Sequence, residues 1–577
     1  MHRYLLLAFA LLATTLVAQN SNRKIRARPS KTAAQAGSAV KWREDVAAAM
    51  KESAETKKPV FWYIPTLSGS PMDRKPEIDR YMMAGPFSWP RMIKLLNESF
   101  IPVRVRARGA NARKYGITRN KFIEPGYLVI AGDGKELLRL DQLTTFHPEW
   151  MMAPLARVAN RAIPEKGEPS AAQKKFFAGV RLFESGASDK AIALWKKIGE
   201  DHPDDPFGWK AAAEAEGHGP FRFGFEVFRP LPASVMTGTA PGSRAPDGVY
   251  AEKTLRKNSL DFLCRMQLAN GGWEDSRYDF GGTDSLPNVY TACTAIIASA
   301  LLEELNTQPV AEDASRIQKA LDRAIVYIND DAHLNFQDRD ELIWAHIYRT
   351  YFFCRFLELR KDDKAKCVEI KKHLTKVVKQ MFDMQPGSGC WFHEYSNAFV
   401  CADVLFALDR ARSLGIKLDD AKVSRGNNAL MRCRAKTGSF SYSFGRRPSL
   451  SVMGAAGRMP LCELALLKFG RSEQKHLERA VAKSFTHHDL MDAVRKYDDH
   501  ASRYGYGGFF FWFDMLGRSR AIRAIEDEKI RNLVEIRQRV LIVKKLPEID
   551  GCFIDSHELG RTYGTAMALL CLAQLRR

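Results

Sequence analysis

Eight acidic and imidazole residues recur at comparable places in the C-terminal half of the sequence: His393, Glu394, Asp498, Asp499, His500, Asp555, His557 and Glu558. Each lies at or near the expected start of an apolar helix that follows a loop. If those helix starts gather around one mouth of a cavity, the groups could serve as a general acid and base or hold a divalent metal. The same side chains have a second use. Carboxylates cap helix N-termini and are stabilised by the positive end of the helix dipole, and capping is the expected role here. The thiols are the other reactive set. All ten cysteines (264, 293, 354, 367, 390, 401, 433, 462, 552 and 571) lie beyond residue 250. An even count in an exported chain would permit disulfides. Most sit inside apolar helical stretches such as YTACTAI, FFCRF, PLCELAL and LLCLAQ, where a free thiol behaves as a small buried hydrophobe. Cys390 and Cys552, in equivalent loops, are expected to be the most exposed. No P-loop, GxSxG or HExxH string occurs. No catalytic residue, cofactor-binding residue or metal ligand is assigned, and no cofactor is expected.

The chain that must position these groups has 577 residues, a length that suits three to four domains. With 45% hydrophobic and 27% charged residues, wholesale disorder and a polytopic membrane protein are excluded. Lys and Arg exceed Asp and Glu by 88 to 67, a net charge of +21. The basic residues are spread along the chain rather than interleaved with aromatics, which favours a solvated surface over a nucleic-acid partner. Residues 1–18 place Arg3 before an apolar run from Leu5 to Val17 and end on Ala18. That run is too short to span a bilayer, so 1–18 reads as a signal peptide. No later stretch of 18 apolar residues follows, so no transmembrane span is expected after signal cleavage. The expected location is periplasmic or extracellular. Residues 19–40, basic, small and polar, read as a flexible linker.

Residues 41–165 read as an α/β unit. Helical spacing runs from Trp42 to Ala54, VFWYI (60–64) fits a buried strand, 90–100 a helix, and 101–107 a strand. Residues 123–140 read as a hairpin turning at Asp133-Gly134. Trp42, the KPV entry at 58–60, the FIPVRV strand and Glu124-Pro125-Gly126 give this region a resemblance to the thioredoxin-like fold. In that family a Cys-x-x-Cys follows the first strand, where a helix N-terminus lowers one thiol's pKa. Here the region reads PTLSGSPMDRK, and residues 1–250 hold no cysteine. Thiol–disulfide exchange by this domain is chemically excluded.

Residues 170–215 resemble one tetratricopeptide-like helix pair, carried by Gly186, Ala191, Trp195 and Pro203. Residues 216–249, rich in Gly and Pro, read as a linker.

From 250 to 577, helices come in pairs. The second helix of each pair is expected to start near residues 285, 340, 396, 450, 503 and 559, a nearly fixed period that signals a repeat fold. Six pairs closing on themselves would form an (α/α)6 toroid. The loops share a signature: Gln267-x-x-x-Gly271-Gly272-Trp273, Gln385-x-x-x-Gly389-Cys390-Trp391, and weaker copies at Thr437-Gly438-Ser439-Phe440 and Asp550-Gly551-Cys552-Phe553. Glycine would permit the reversal after the outer helix, the aromatic would plug the seam between repeats, and Gln would bond free backbone groups. These motifs, with RTYGTAMALLCLAQL at the C-terminus, resemble the Gln–Trp repeats of squalene–hopene cyclases and related prenyltransferase-type toroids. The chemistry of that class does not carry over. The nearest string to its Asp-x-Asp-Asp acid is Lys496-Tyr497-Asp498-Asp499-His500. The Asp-x-Cys of zinc prenyltransferases is absent, Cys401-Ala402-Asp403 having the reverse order, and so is the Gly-Cys-Gly-Glu-Gln of thioester toroids. The aromatic run Tyr504-Gly-Tyr506-Gly-Gly-Phe509-Phe510-Phe511-Trp512-Phe513 is expected to pack inner helix on outer helix rather than line a pocket.

The expected function is that of an exported, non-catalytic binding or scaffolding protein. Its partner would be another protein, or an apolar or anionic ligand at the toroid cavity. The alternative is a divergent toroid enzyme acting on a lipid, isoprenoid or saccharide through an acid pair. That alternative requires carboxylates that face an open apolar cavity instead of capping helices.

Overall fold

The structure is a computed structural model. It describes residues 29–65, 77–117, 125–141, 143–237, 244–278, 285–307, 309–448, 450–493, 495, 510–556 and 558–575. The expected signal peptide and most of the PTLSGSPMDRK stretch lie outside them. The chain is mostly helical, with a small mixed sheet near its start: an α/β part followed by an all-α part.

Four strands form the sheet: β1 (Val60–Ile64), β2 (Ile101–Arg104), β3 (Gly126–Ile130) and β4 (Glu136–Leu140), in the order β2-β1-β3-β4. β1 runs parallel to β2 and antiparallel to β3, and β3 is antiparallel to β4. Every residue of β1 is buried. Its alternation sends Phe61 and Tyr63 to one apolar cluster and Val60, Trp62 and Ile64 to another. A central strand covered on both faces needs an uninterrupted apolar run, and VFWYI supplies it. The first long helix is Val46–Thr56 rather than a stretch beginning at Trp42, because Asp45 accepts from the Ala48 amide at 2.8 Å and fixes the start. Trp42 instead packs its ring at a tilt against Phe61 and Tyr63 and edge-on against Phe87.

The described parts of two segments expected to be linkers, 29–40 of the first and 216–237 and 244–249 of the second, pack against the rest of the chain. Residues 31–34 form a short helix capped by Ser30, and Ala33 and Ala36 pack on Ala212 and Ala213. In the 216–249 stretch, Phe221, Phe223, Phe225 and Val227 are buried, wedged between the sheet and the helices that follow. The 170–215 region holds three helices, not a pair: Ala171–Glu184, Ser188–Asp201 and Pro206–Ala215. Pro206 ends the run after the second helix and opens the third, with Asp205 as its cap.

Among the described residues, the rest of the chain holds six helix pairs, with a short additional helix, His488–Ala493, after the fifth outer helix. The outer helices are Glu252–Met266, Ala311–Asn329, Lys364–Asp383, Asp420–Arg432, Gln474–Thr486 and Glu528–Val540. The inner ones are Leu286–Leu305, Arg339–Leu359, Ala398–Ser413, Met459–Lys468, Phe511–Arg523 and Gly560–Gln574. Each inner helix packs on the next, and the sixth packs back on the first, so the six stand in a cycle. The fourth and fifth begin at Met459 and Phe511, later than the expected 450 and 503. In the fourth pair a longer loop is tied down by the buried Arg458 guanidinium, which donates to the Phe440 and Gly454 carbonyls. Leu286–Leu305 is the one described helix long and apolar enough to cross a membrane; as an inner helix of the cycle it is buried in protein.

The sheet part also meets the ring of helix pairs. Ile549 and Ile554 of the last loop join Phe146, Phe223 and Phe225 in a single apolar cluster. Beside it Thr144 donates to Glu548, whose other oxygen accepts from Arg495 at 3.1 Å.

Candidate functional site

The loop signature is reproduced bond for bond. Gln267 Nε2 donates to the Gly271 carbonyl (2.8 Å) and to Ala320 of the next outer helix (2.9 Å). Gln385 does the same to Gly389 (3.1 Å) and Lys422 (2.9 Å). Trp273 and Trp391 each donate their indole N–H to the end of the preceding outer helix, at Leu263 and Met381, both at 2.8 Å. Gly271, Gly389, Gly438 and Gly551 all have φ between 77 and 90°. A Cβ on Gly271 or Gly389 would also meet the carbonyl of Arg323 or Arg425 at 2.5 or 2.7 Å. Glycine is required there twice over, by the turn and by the neighbouring helix.

The residue two positions after each signature aromatic reaches the previous pair's inner helix. Asp275 accepts from the Thr562 amide (3.0 Å) and Asp555 from the Trp512 amide (2.7 Å). His393 Nδ1 lies 3.3 Å from the Asp340 carbonyl, and the Tyr442 carbonyl accepts from Ala398 (3.3 Å). Of the eight sequence candidates, Asp555 is thus a cap. Glu394 forms the tip of a two-stranded ribbon (Phe392–His393 with Tyr395–Ser396), at φ 61°. Glu558 lies in the last loop, its carbonyl accepting from Arg277 N–H at 2.6 Å. Asp498, Asp499, His500 and His557 lie outside the described residues.

Burial, the largest influence, pushes the Asp555 carboxyl up to about 8. The folded state therefore holds a proton that the unfolded chain releases near its ordinary value, so stability falls as pH rises from about 4 to about 8. Asp555→Asn should flatten the decline of the urea midpoint between pH 6.5 and 8 relative to the parent. In that window His393 and His488, lowered by burial to about 4 and about 3, are neutral in the folded state, and their titration in the unfolded chain is the same in parent and variant and cancels in the comparison. An unchanged pH profile would show that Asp555 does not titrate this way.

Inside the ring of inner helices, Tyr278, Glu341, Trp344, Tyr348, Phe510 and Phe513 surround a cavity of about 40 Å³. That is room for roughly one to three waters. His393 lies behind this wall, against Tyr278, Trp344 and Glu341. Its Nδ1 faces the Asp340 carbonyl and Glu341 Oε1 (3.4 Å), both acceptors, so Nδ1 carries the hydrogen. Its Nε2 lies 3.1 Å from the Tyr278 hydroxyl and accepts from it. The free lone pair that a general base or metal ligand needs is thereby engaged. Sequence reasoning missed Asp275, Tyr278 and Glu341. The shared offset from Trp273 and Phe553 was the available signal for Asp275.

The ten thiols are free, and Cys390 and Cys552 are both buried; Cys264 and Cys367 are the partly exposed ones. The loop cysteines are covered because the signature aromatic beside each draws the loop into the seam. Among the described residues, no group of three or more His, Cys, Asp or Glu is arranged to hold a metal ion.

A larger hollow, about 490 Å³, lies between the sheet part and the three-helix segment. Trp89, Phe177, Phe207 and Phe228 form its floor, with ring centroids 5.2–6.2 Å apart. At its rim Arg91 and Lys166 both meet Glu149, at 3.1 and 3.3 Å.

Comparison with protein-family models and with curated proteins finds no match to this chain.

Proposed function

We propose that this chain is an exported, non-catalytic binding or scaffolding protein. In this reading a thioredoxin-like module without redox thiols and a tetratricopeptide-like segment are fixed to an (α/α)6, cyclase-like toroid. The β2-β1-β3-β4 order supports the first assignment, and the cycle of inner helices with its twice-repeated Gln–Trp bonding supports the last. One contrast carries the functional reading: the two hollows among the inner helices measure about 40 and about 130 Å³, against about 490 Å³ in the aromatic cleft outside the ring. The charges lining the cleft balance, Arg91, Lys166 and Arg229 against Glu149, Glu168 and Asp205, so it suits an extended, uncharged peptide segment bearing proline or aliphatic side chains.

Calorimetric titration with proline- and leucine-rich decapeptides and with isoprenoid alcohols tests this. Peptide binding that Phe228→Asp abolishes is the expected result. Binding or turnover of an isoprenoid that Glu341→Gln abolishes would overturn it and favour the second reading, a toroid enzyme, whose one supporting observation is that Glu341 is a carboxylate on the cavity wall.

A further inference from the structure

The sixth outer helix, Glu528–Val540, leaves an apolar stripe in solvent. Ile530, Leu533, Ile536 and Val540 are 38, 70, 64 and 39% exposed. They fall within about a third of the helix circumference, the width of a face that normally packs on protein. The outer helices Ala311–Asn329 and Lys364–Asp383 each show a single exposed large apolar residue, Val326 and Val368. Isolated residues of that kind are ordinary, whereas a contiguous patch marks an interaction surface. An open hollow of about 370 Å³ lies beside Ile536, between Asn532 and Leu575.

Three features select the occupant. The stripe has nearly the same spacing from either end, so two antiparallel copies would oppose Ile530 with Val540 and Leu533 with Ile536. The net charge changes sign along the helix: Glu526, Asp527 and Glu528 outnumber Lys529 and Arg531 at its start, and Arg537, Arg539, Lys544 and Lys545 outnumber Glu535 towards and beyond its end, Arg539 and Lys545 being also paired within the chain to Glu252 and Asp247. An antiparallel pair brings each acidic end to a basic one, and a two-fold axis makes both contacts at once. The acidic end would also be repelled by an anionic lipid surface.

We infer that this helix is a self-complementary interface through which two copies of the chain pair antiparallel, Leu533 of each seated in the hollow beside Ile536 of the other. The inference stands apart from the proposed function and does not depend on it. A single helix face is at the small end of specific interfaces, so the dimer is reversible, with dissociation in the micromolar range.

Sedimentation of the full chain across that concentration range tests it. The parent should show a monomer–dimer equilibrium, and Leu533→Asp should weaken it at least tenfold. Glu526→Lys with Glu528→Lys (acidic end reversed) and Arg537→Glu with Lys544→Glu (basic end reversed) should each be monomeric alone. Mixed together, they should form a heterodimer. A monomeric parent at 100 µM, a dimer insensitive to Leu533→Asp, or failure of the mixed variants to pair would each overturn the inference. So would a monomeric parent that binds phosphatidylglycerol vesicles through Leu533.

Discussion

Trp391→Ala is expected to destabilise the helical ring by about 3–5 kcal/mol, the range for emptying a fully buried aromatic site. The indole has no exposed surface. It lies against Gly426 of the next outer helix, where even a Cβ would come within 2.5 Å of its ring. Its N–H satisfies the Met381 carbonyl at the end of its own outer helix. Truncation therefore leaves a hole between two repeats and orphans a helix-end acceptor, two costs that add. The surrounding helices are held by their own loops and can close the gap only in part. Trp273→Ala should cost a similar amount, since its indole makes the equivalent bond to Leu263. Gln385→Leu, which removes hydrogen bonds but keeps the volume, should cost about 1 kcal/mol. The urea midpoint of the full chain reads all three. A Trp391→Ala variant with the parent's midpoint would mean that the signature does not staple the repeats.

That signature also shows how far the sequence could be read. Gln, Gly and Trp at fixed spacing each answer a local demand: a free carbonyl, a left-handed turn, a seam to fill. Such demands leave a mark on residue type, and the helix pairs between them follow from apolar periodicity. The hairpin and the VFWYI strand were legible for the same reason. What escaped depended on contacts between distant segments. Asp555 faces the fifth inner helix only once the ring has formed, and nothing in its immediate neighbours says whether it caps a helix or faces a cavity. Phe221, Phe223 and Phe225 sit among glycines and prolines, a composition that reads as a linker, yet the sheet and the ring close over them. Cys390 and Cys552 lie in loops, and their burial comes from the Trp391 and Phe553 rings that pull those loops inward.

The buried ion pair between the three-helix segment and the 216–249 stretch, set against the sheet part at Ala84 and Trp89, gives the second large effect. Lys210 and Glu226 are both without solvent exposure. The ammonium donates to both carboxylate oxygens at 2.8 and 2.9 Å and to the Ala84 carbonyl at 2.9 Å, and it lies 5.2 Å from the Trp89 ring centroid. The Trp89 indole donates to the same carboxylate at 2.5 Å. Lys210→Met strands the carboxylate in an apolar site, and breaking one partner of such a pair costs about 3–5 kcal/mol. Burial already holds the Glu226 carboxyl above its ordinary value, with Lys210 as the main opposing influence. Without the lysine the folded state binds that proton more tightly than the unfolded chain does. Stability of the variant then falls as pH rises through the acid range, and the deficit against the parent is smaller at pH 5 than at pH 8. Lys210→Met combined with Glu226→Gln removes the stranded charge and should recover most of the loss at pH 8. Urea unfolding followed through the N-terminal part at both pH values measures this. If the single variant is equally damaged at pH 5 and pH 8, and the double variant recovers nothing, the loss comes from packing around Trp89 rather than from the uncompensated carboxylate.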